Sequence, residues 1–121
     1  MTWENMLMWL YENVIEVLLW GGEYNGDETD RETYLEMIVE KTLFSTNDTE
    51  VHDQITVKGG GYLTYYTGLY SEEGDPLPPA WTYKGSKNPE AEQVVILLQK
   101  EQNKLFKPQR EKLSDLPLAD W

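Results

Sequence analysis

A β-hairpin is encoded by residues 51–70, VHDQITVKGGGYLTYYTGLY. Apolar and polar side chains alternate from Val51 to Lys58, and this period-two pattern predicts a strand with one buried face. Three consecutive glycines, Gly59-Gly60-Gly61, then predict a turn. The run from Tyr62 to Tyr70 is dense in Tyr and Thr, which favour strands, and predicts the returning strand. The sequence therefore predicts an antiparallel hairpin in the middle of the chain.

Helices are predicted upstream of this hairpin. Thr2 is a plausible N-cap for a first helix that runs to about Trp20, where Gly21-Gly22 supplies a stop. Thr29-Asp30-Arg31-Glu32 fits a capping box with Thr29 at the N-cap, and predicts a second helix that runs to about Phe44. The inner faces expected for these helices are Met6, Leu7, Leu10, Tyr11, Val14, Val17 and Leu18 in the first, and Tyr34, Leu35, Ile38, Val39 and Thr42 in the second.

Downstream of the hairpin, Trp81-Thr82-Tyr83 predicts a third short strand. Asn88-Pro89-Glu90 combines an N-cap, a proline at the first position and an acid in the first turn, and predicts a helix to about Phe106. Residues 114–121 form a tail that docks through its apolar side chains or stays loosely attached. We expect one α+β domain over residues 1–121: two N-terminal helices, an antiparallel β-hairpin or three-stranded sheet, and a C-terminal helix.

The chain is strongly acidic, and the acids are unevenly distributed. It has 22 Asp and Glu against 10 Lys and Arg among 121 residues, for a net charge of −12. Residues 1–80 hold 16 acids and 3 bases, whereas residues 81–121 hold 6 acids and 7 bases. Such a field repels nucleic acids and anionic membranes and attracts basic surfaces. We therefore expect no direct nucleic-acid binding and favour a basic protein as the partner.

A stripe of glutamates on the second helix is the most informative feature. Glu32, Glu36 and Glu40 fall at successive i, i+4 steps on its outer face, with Glu28 one step earlier near the helix start. Like charges at this spacing weaken an isolated helix by a few tenths of a kcal/mol each. The pattern suits a surface selected for charge, although a solvated face of an acidic protein explains it equally well.

Two tryptophans do not fit the division of the first helix into faces. Trp9 and Trp20 project onto the same arc as Glu12, Asn13 and Glu16. Either another layer of the protein covers them, which we favour, or they are exposed anchors for a partner. The predicted partner-binding set is Glu28, Glu32, Glu36, Glu40, Glu12, Glu16, Trp9 and Trp20.

Catalytic and metal-binding signatures are absent from the sequence. There is no Cys and one His, which excludes thiolate chemistry and multi-His metal cages. His52 and Asp53 are neighbours on a strand, so their side chains should point to opposite faces. Lys58-Gly59-Gly60-Gly61 lacks the spacing of a phosphate loop, and residues 27–32 lack the pattern of a calcium loop. We predict no enzymatic activity, no cofactor and no metal.

The place of action follows from the N-terminal segment and the absence of Cys. Residues 1–5 carry no positive region of the kind that begins a secretory signal. The apolar run from Trp3 to Trp20 contains Glu12 and Glu16, and each carboxylate costs roughly 2.5–3.5 kcal/mol inside a bilayer, so a membrane span is rejected. We expect a cytoplasmic protein without a membrane association.

Three hypotheses for function remain open. The first is a non-enzymatic inhibitor that occupies the basic groove of a nucleic-acid-handling enzyme in the manner of a DNA mimic. Phage-encoded antagonists of restriction or CRISPR systems and immunity proteins of nuclease toxins are similar in size and acidity, but no motif here aligns with them. The second is a small homo-oligomeric interaction module that associates through the first helix. The third is a hydrolase or ligand-binding domain with a pocket lined by Tyr62, Tyr65, Tyr66, Tyr70 and Tyr83.

Overall fold

The computed structural model describes residues 1–20, 27–44 and 51–106, and the side chains of residues 20 and 27–29 are outside that description. The elements in chain order are α1 Trp3–Asn13, β1 Val14–Trp20, β2 Asp27–Thr29, α2 Arg31–Val39, β3 His52–Val57, β4 Tyr62–Tyr66, β5 Ala80–Lys84 and α3 Pro89–Leu105. A short 3₁₀ helix, Thr42–Phe44, follows α2. The predicted α+β class is confirmed. The predicted tail, 114–121, lies outside the described residues.

The strands form one antiparallel sheet in the order β2-β1-β3-β4-β5. Its β3–β4 hairpin is the predicted one, with Ile55 paired to Leu63, but β4 ends at Tyr66 and does not reach Tyr70. Gly59 and Gly60 form the turn with φ of +95° and +93°, values that side chains other than glycine rarely adopt. A Cβ on Gly61 would overlap the side chain of Tyr83 in β5. The backbone of the turn therefore requires Gly59 and Gly60, and a side chain at Gly61 would displace the Tyr83 ring.

The prediction of a first helix reaching Trp20 is wrong. α1 ends at Asn13, and residues 14–20, VIEVLLW, form β1, which pairs with both β2 and β3. Because β-branched residues pack well in a pleated sheet, Val14 and Val17 are buried in this pairing. A bulge between Val14 and Glu16 leaves Ile15 outside the ladder and 56% exposed. The sheet therefore has four strands of five to seven residues and a three-residue strand, β2, in place of the predicted hairpin or three-stranded sheet.

The start and end of α2 also differ from the prediction. Its N-cap is Asp30, whose carboxylate accepts from the Glu32 backbone N–H at 3.3 Å and from the Thr33 hydroxyl at 2.7 Å. Thr29 belongs to β2, so the predicted capping box is wrong. The helix ends at Val39, and Lys41 then adopts a positive φ of 64°.

The C-terminal helix matches its prediction. Asn88 caps α3 by accepting a hydrogen bond from the Ala91 backbone N–H at 3.2 Å, and Pro89 occupies the first turn. The helix then runs to Leu105. Because the cap and the proline at its start are local signals, the beginning of this helix can be predicted from the sequence.

The three helices cover one face of the sheet. Val17, Ile55 and Leu63 are in register across β1, β3 and β4, and each is at most 1% exposed. The opposite face carries half-buried polar and aromatic side chains such as Gln54 and Tyr62. None of the described helices has the length and apolar character that a bilayer crossing requires. The helices contribute Met6, Trp9 and Leu10 of α1, Tyr34, Leu35 and Ile38 of α2, and Ala91, Val94 and Leu98 of α3 to the core.

Candidate partner-binding surface

Helices α1 and α2 lie side by side and run in opposite directions. At the start of α2, Arg31 donates from Nε to the Val14 carbonyl oxygen at 2.7 Å and from Nη2 to the Tyr11 carbonyl oxygen. Just beyond the end of α2, Lys41 Nζ lies 5.1 Å from the centre of the Trp3 ring near the start of α1. Because α1 has no basic residue in its last turn, Arg31 supplies the cation that a helix C-terminus favours. These contacts fix the antiparallel arrangement of the two helices at both ends.

Five exposed glutamates follow the outer sides of these helices: Glu4 and Glu12 on α1, and Glu32, Glu36 and the C-cap Glu40 on α2. Two ion pairs form between described residues, Arg31–Glu32 and, at 3.2 Å, Lys41–Glu101. Most of the glutamate charge on the two helices is therefore uncompensated within the described part of the chain. Glu36 and Glu32 also help to raise the pKa of Tyr11, after the larger effect of desolvation, which places the Tyr11 ring within their field.

An apolar groove of about 500 Å³ lies where α1 faces the end of α2. Leu7, Met8 and Tyr11 of α1 and Val39 of α2 line it. Met8 is 60% exposed, Val39 42% and Tyr11 36%, which is unusual for large apolar side chains that lie together. Glu4 and Glu12 stand at its rim. We call the four apolar residues together with the five glutamates the α1–α2 face.

This arrangement brings together four of the predicted partner-binding residues. Glu32, Glu36 and Glu40 are exposed on α2 as expected, and Glu12 stands at the rim of the groove on α1. An apolar centre within a charged rim is the usual anatomy of a protein–protein interface. The fold therefore joins the predicted glutamate stripe to a second helix and to an apolar contact surface.

The other predicted residues lie elsewhere. Glu16 is on β1 beside Val17, whose side chain faces the core, so Glu16 points to the opposite face of the sheet. Glu28 is in β2, paired with Leu18, and not one turn before α2. The reason is the same for both residues: segments that were assigned to helices, or to their approaches, form strands instead.

The two tryptophans are no part of this surface. Trp9 is 7% exposed and belongs to the core cluster, which is the burial alternative favoured from the sequence. A buried ring is not available as a partner anchor or as the symmetric contact of an oligomer. The side chain of Trp20 lies outside the described residues.

Sequence reasoning missed the apolar centre of the face. Tyr11 and Val39 were assigned to inner helix faces, but both are exposed. Met8 carried a usable signal, because it lies four residues after Glu4 and four before Glu12 and so shares their side of α1. Val39 carried none, because its exposure depends on where α2 ends.

The chemistry-bearing residues on β3 do not form an open site. His52 stacks on Tyr66, with ring centroids 4.3 Å apart, on one face of the sheet. Asp53 is on the other face, 3% exposed, and accepts a hydrogen bond from the Tyr34 hydroxyl at 2.8 Å. Within residues 1–20, 27–44 and 51–106, no group of three or more His, Asp or Glu side chains is arranged to hold a metal ion.

Comparison of the chain with protein-family models, with curated proteins and with solved structures gave no match. Function is therefore argued from the geometry and charge of the α1–α2 face.

Proposed function

We propose that this chain is a non-enzymatic inhibitor whose α1–α2 face occupies the basic nucleic-acid groove of a protein such as a nuclease or a restriction or CRISPR effector. The observation that carries the proposal is the exposed row of Glu32, Glu36 and Glu40 on α2, with Glu12 exposed at the rim of the groove on the neighbouring helix α1. Carboxylates one helical turn apart repeat about every 6 Å along the axis. Phosphates along one DNA strand repeat on a scale of the same order, about 3.4 Å.

The energetics of α2 support a role for this charge. Neighbouring glutamates at i, i+4 destabilise a helix by about 0.2–0.5 kcal/mol per pair. Gln or Lys at Glu36 would relieve both of its pairs and would preserve helix propensity. A row that lowers the stability of its own helix is what selection for partner binding is expected to leave.

The charge of the whole chain supports the same partner. A net charge of −12 raises the rate of encounter with a basic surface and repels nucleic acid itself. The inhibitor therefore competes with nucleic acid for its partner without binding nucleic acid. The proposal implies action in the cytoplasm, where such enzymes meet their substrates.

The test uses immobilised full-length chain and a bacterial lysate at low salt, with elution by a salt gradient and identification by mass spectrometry. Wild type is compared with the triple variant Glu32→Gln, Glu36→Gln and Glu40→Gln. The matched control changes Glu72, Glu73 and Glu92 to Gln, which removes the same charge from exposed positions outside the α1–α2 face.

We expect wild type and control to capture a nucleic-acid-binding protein that duplex DNA displaces, and the triple variant to lose it. Displacement by DNA tests the proposal specifically, because a DNA mimic and DNA itself compete for one binding site on the captured protein. A captured protein that DNA does not displace, or equal capture by the triple variant, would contradict the proposal.

A further inference from the structure

We infer that the apolar groove of the α1–α2 face receives the apolar side of a basic amphipathic helix of the partner, an inference that rests on the proposed function and names the partner element. The groove and its charged rims together define this occupant. It is an α-helix with large aliphatic side chains on one side and Lys or Arg along both edges of that side.

The lining of the groove requires an apolar occupant. Met8, Tyr11 and Val39 are exposed, and they lie with Leu7 around one concave surface of about 500 Å³. A row of glutamates that only replaced DNA phosphates would not require this apolar surface, because carboxylates can contact Lys and Arg without it. The unbranched side chain of Met8 adapts to the shape of an inserted group.

Acids of both helices favour cations beside that apolar group, because Glu4 and Glu12 line the groove and its Tyr11 lies within the field of Glu32 and Glu36. Glu4 and Glu12 on one helix, and Glu32 and Glu40 on the other, are each eight residues apart. Eight residues correspond to about 12 Å of helix, or roughly two turns. A helix laid in the groove would bring basic residues at successive turns against both rows, which is the helix-in-groove form of recognition.

This occupant fits the proposed function closely. Proteins that read duplex DNA commonly place a basic helix in the major groove. A helix of this kind, bound between α1 and α2, would be held away from DNA. The proposed inhibitor would then act by covering the DNA-reading helix itself.

The probe is a synthetic peptide of about 14 residues built from Leu and Lys in a helical amphipathic pattern, titrated into ¹⁵N-labelled full-length chain. The control peptide has the same composition in a scrambled order. We expect the amphipathic peptide to shift the amide resonances of Leu7, Met8, Tyr11 and Val39, and to bind at least about tenfold more tightly than the scrambled peptide.

The test variant is Met8→Ser with Val39→Ser, which keeps every charge and removes apolar surface from positions that are already exposed. The matched control is Ile96→Ser on α3, which is 59% exposed and does not line the groove. We expect the double variant to weaken peptide binding about tenfold or more and Ile96→Ser to leave it unchanged. Thermal unfolding of each variant establishes that the fold is retained.

Several outcomes would overturn the inference. If the wild type bound both peptides equally, or if the double variant bound the amphipathic peptide as tightly as the wild type does, charge alone would recruit the partner. Contacts of the Met8 methyl group with other residues of the same chain in the free protein, or a dimer that the double variant abolishes, would assign the groove to a different occupant. Each of these results leaves the proposed function standing, because that function fails on a separate observation, unchanged capture by the triple Gln variant.

Discussion

Asp53 is a carboxylate buried under the helices, on the core face of β3. The Tyr34 hydroxyl donates to its Oδ2, whereas Oδ1 has no hydrogen-bond partner among the described residues. Burial raises the pKa of Asp53 to about 6, against the opposing effect of the Tyr34 hydrogen bond. Ionisation of this side chain therefore destabilises the folded state.

We expect Asp53 to lower the free energy of unfolding as pH rises from about 4 to about 6. In this range the folded chain retains a proton on Asp53 that the unfolded chain, with a pKa near 3.8, has released. The contribution is complete below the unfolded pKa and is lost as pH passes the folded one, for a total of roughly 3 kcal/mol.

The measurement is urea denaturation of wild type and Asp53→Asn at about pH 4.5 and about pH 7.5. The asparagine does not titrate, and every other carboxylate is common to both proteins. The variant should therefore gain stability relative to wild type at the higher pH. A stability difference that is the same at both values would show that Asp53 does not titrate in this range.

At the scale of elements, one side chain of α3 covers the first part of the β5 edge of the sheet. Gln99 accepts from the Trp81 backbone N–H at 2.8 Å and donates from Nε2 to the Pro79 carbonyl oxygen at 3.0 Å. Its amide thus pairs with β5 much as a peptide group of a neighbouring strand would. These two backbone groups are therefore not available for pairing with another chain.

Gln99→Ala should lower the free energy of unfolding by about 1–3 kcal/mol, because the Trp81 N–H loses its acceptor in a partly buried place. It should also increase self-association through the opened edge. Chemical denaturation and sedimentation velocity measure the two effects. Gln93→Ala, at an exposed position of the same helix, is the control. Equal behaviour of the two variants would mean that Gln99 has no special role at the edge.

The elements also differ in how far the sequence predicts them. The hairpin and α3 carry local signals, namely the glycine turn and the Asn88-Pro89 start, and both were found. The segment 14–20 carries no such signal, because VIEVLLW continues the apolar pattern of α1 and becomes a strand through pairing with β3. Tertiary contacts decide its state. Because the segment was predicted to be helical, Glu16 was predicted on the wrong part of the surface.

The α1–α2 face belongs to the scale of the whole molecule, because Tyr11 and Val39 are 28 positions apart in sequence and line one groove through the fold. The sequence predicted the row on α2, which depends on one helix. It did not predict the second row or the groove, which depend on Arg31 binding the end of α1. The face combines like charges with exposed apolar surface, and both lower the stability of the chain when no partner is bound.

Stability and partner binding should therefore respond in opposite directions to loss of charge. Replacing Glu36 and Glu40 by Gln removes both like-charge pairs of the row and keeps the Arg31–Glu32 ion pair, and should raise the free energy of unfolding at low salt by about 0.2–0.5 kcal/mol per pair while partner capture falls. An increase in salt concentration should likewise raise the stability of the wild type and weaken its capture of the partner. Between about 0.01 M and about 1 M the Debye length falls from about 30 Å to about 3 Å, which weakens both the repulsion within the chain and its attraction for a basic surface. Denaturation and capture measured across this range check both effects. If salt stabilises the fold and leaves capture unchanged, the apolar groove and not the glutamates would carry the interaction.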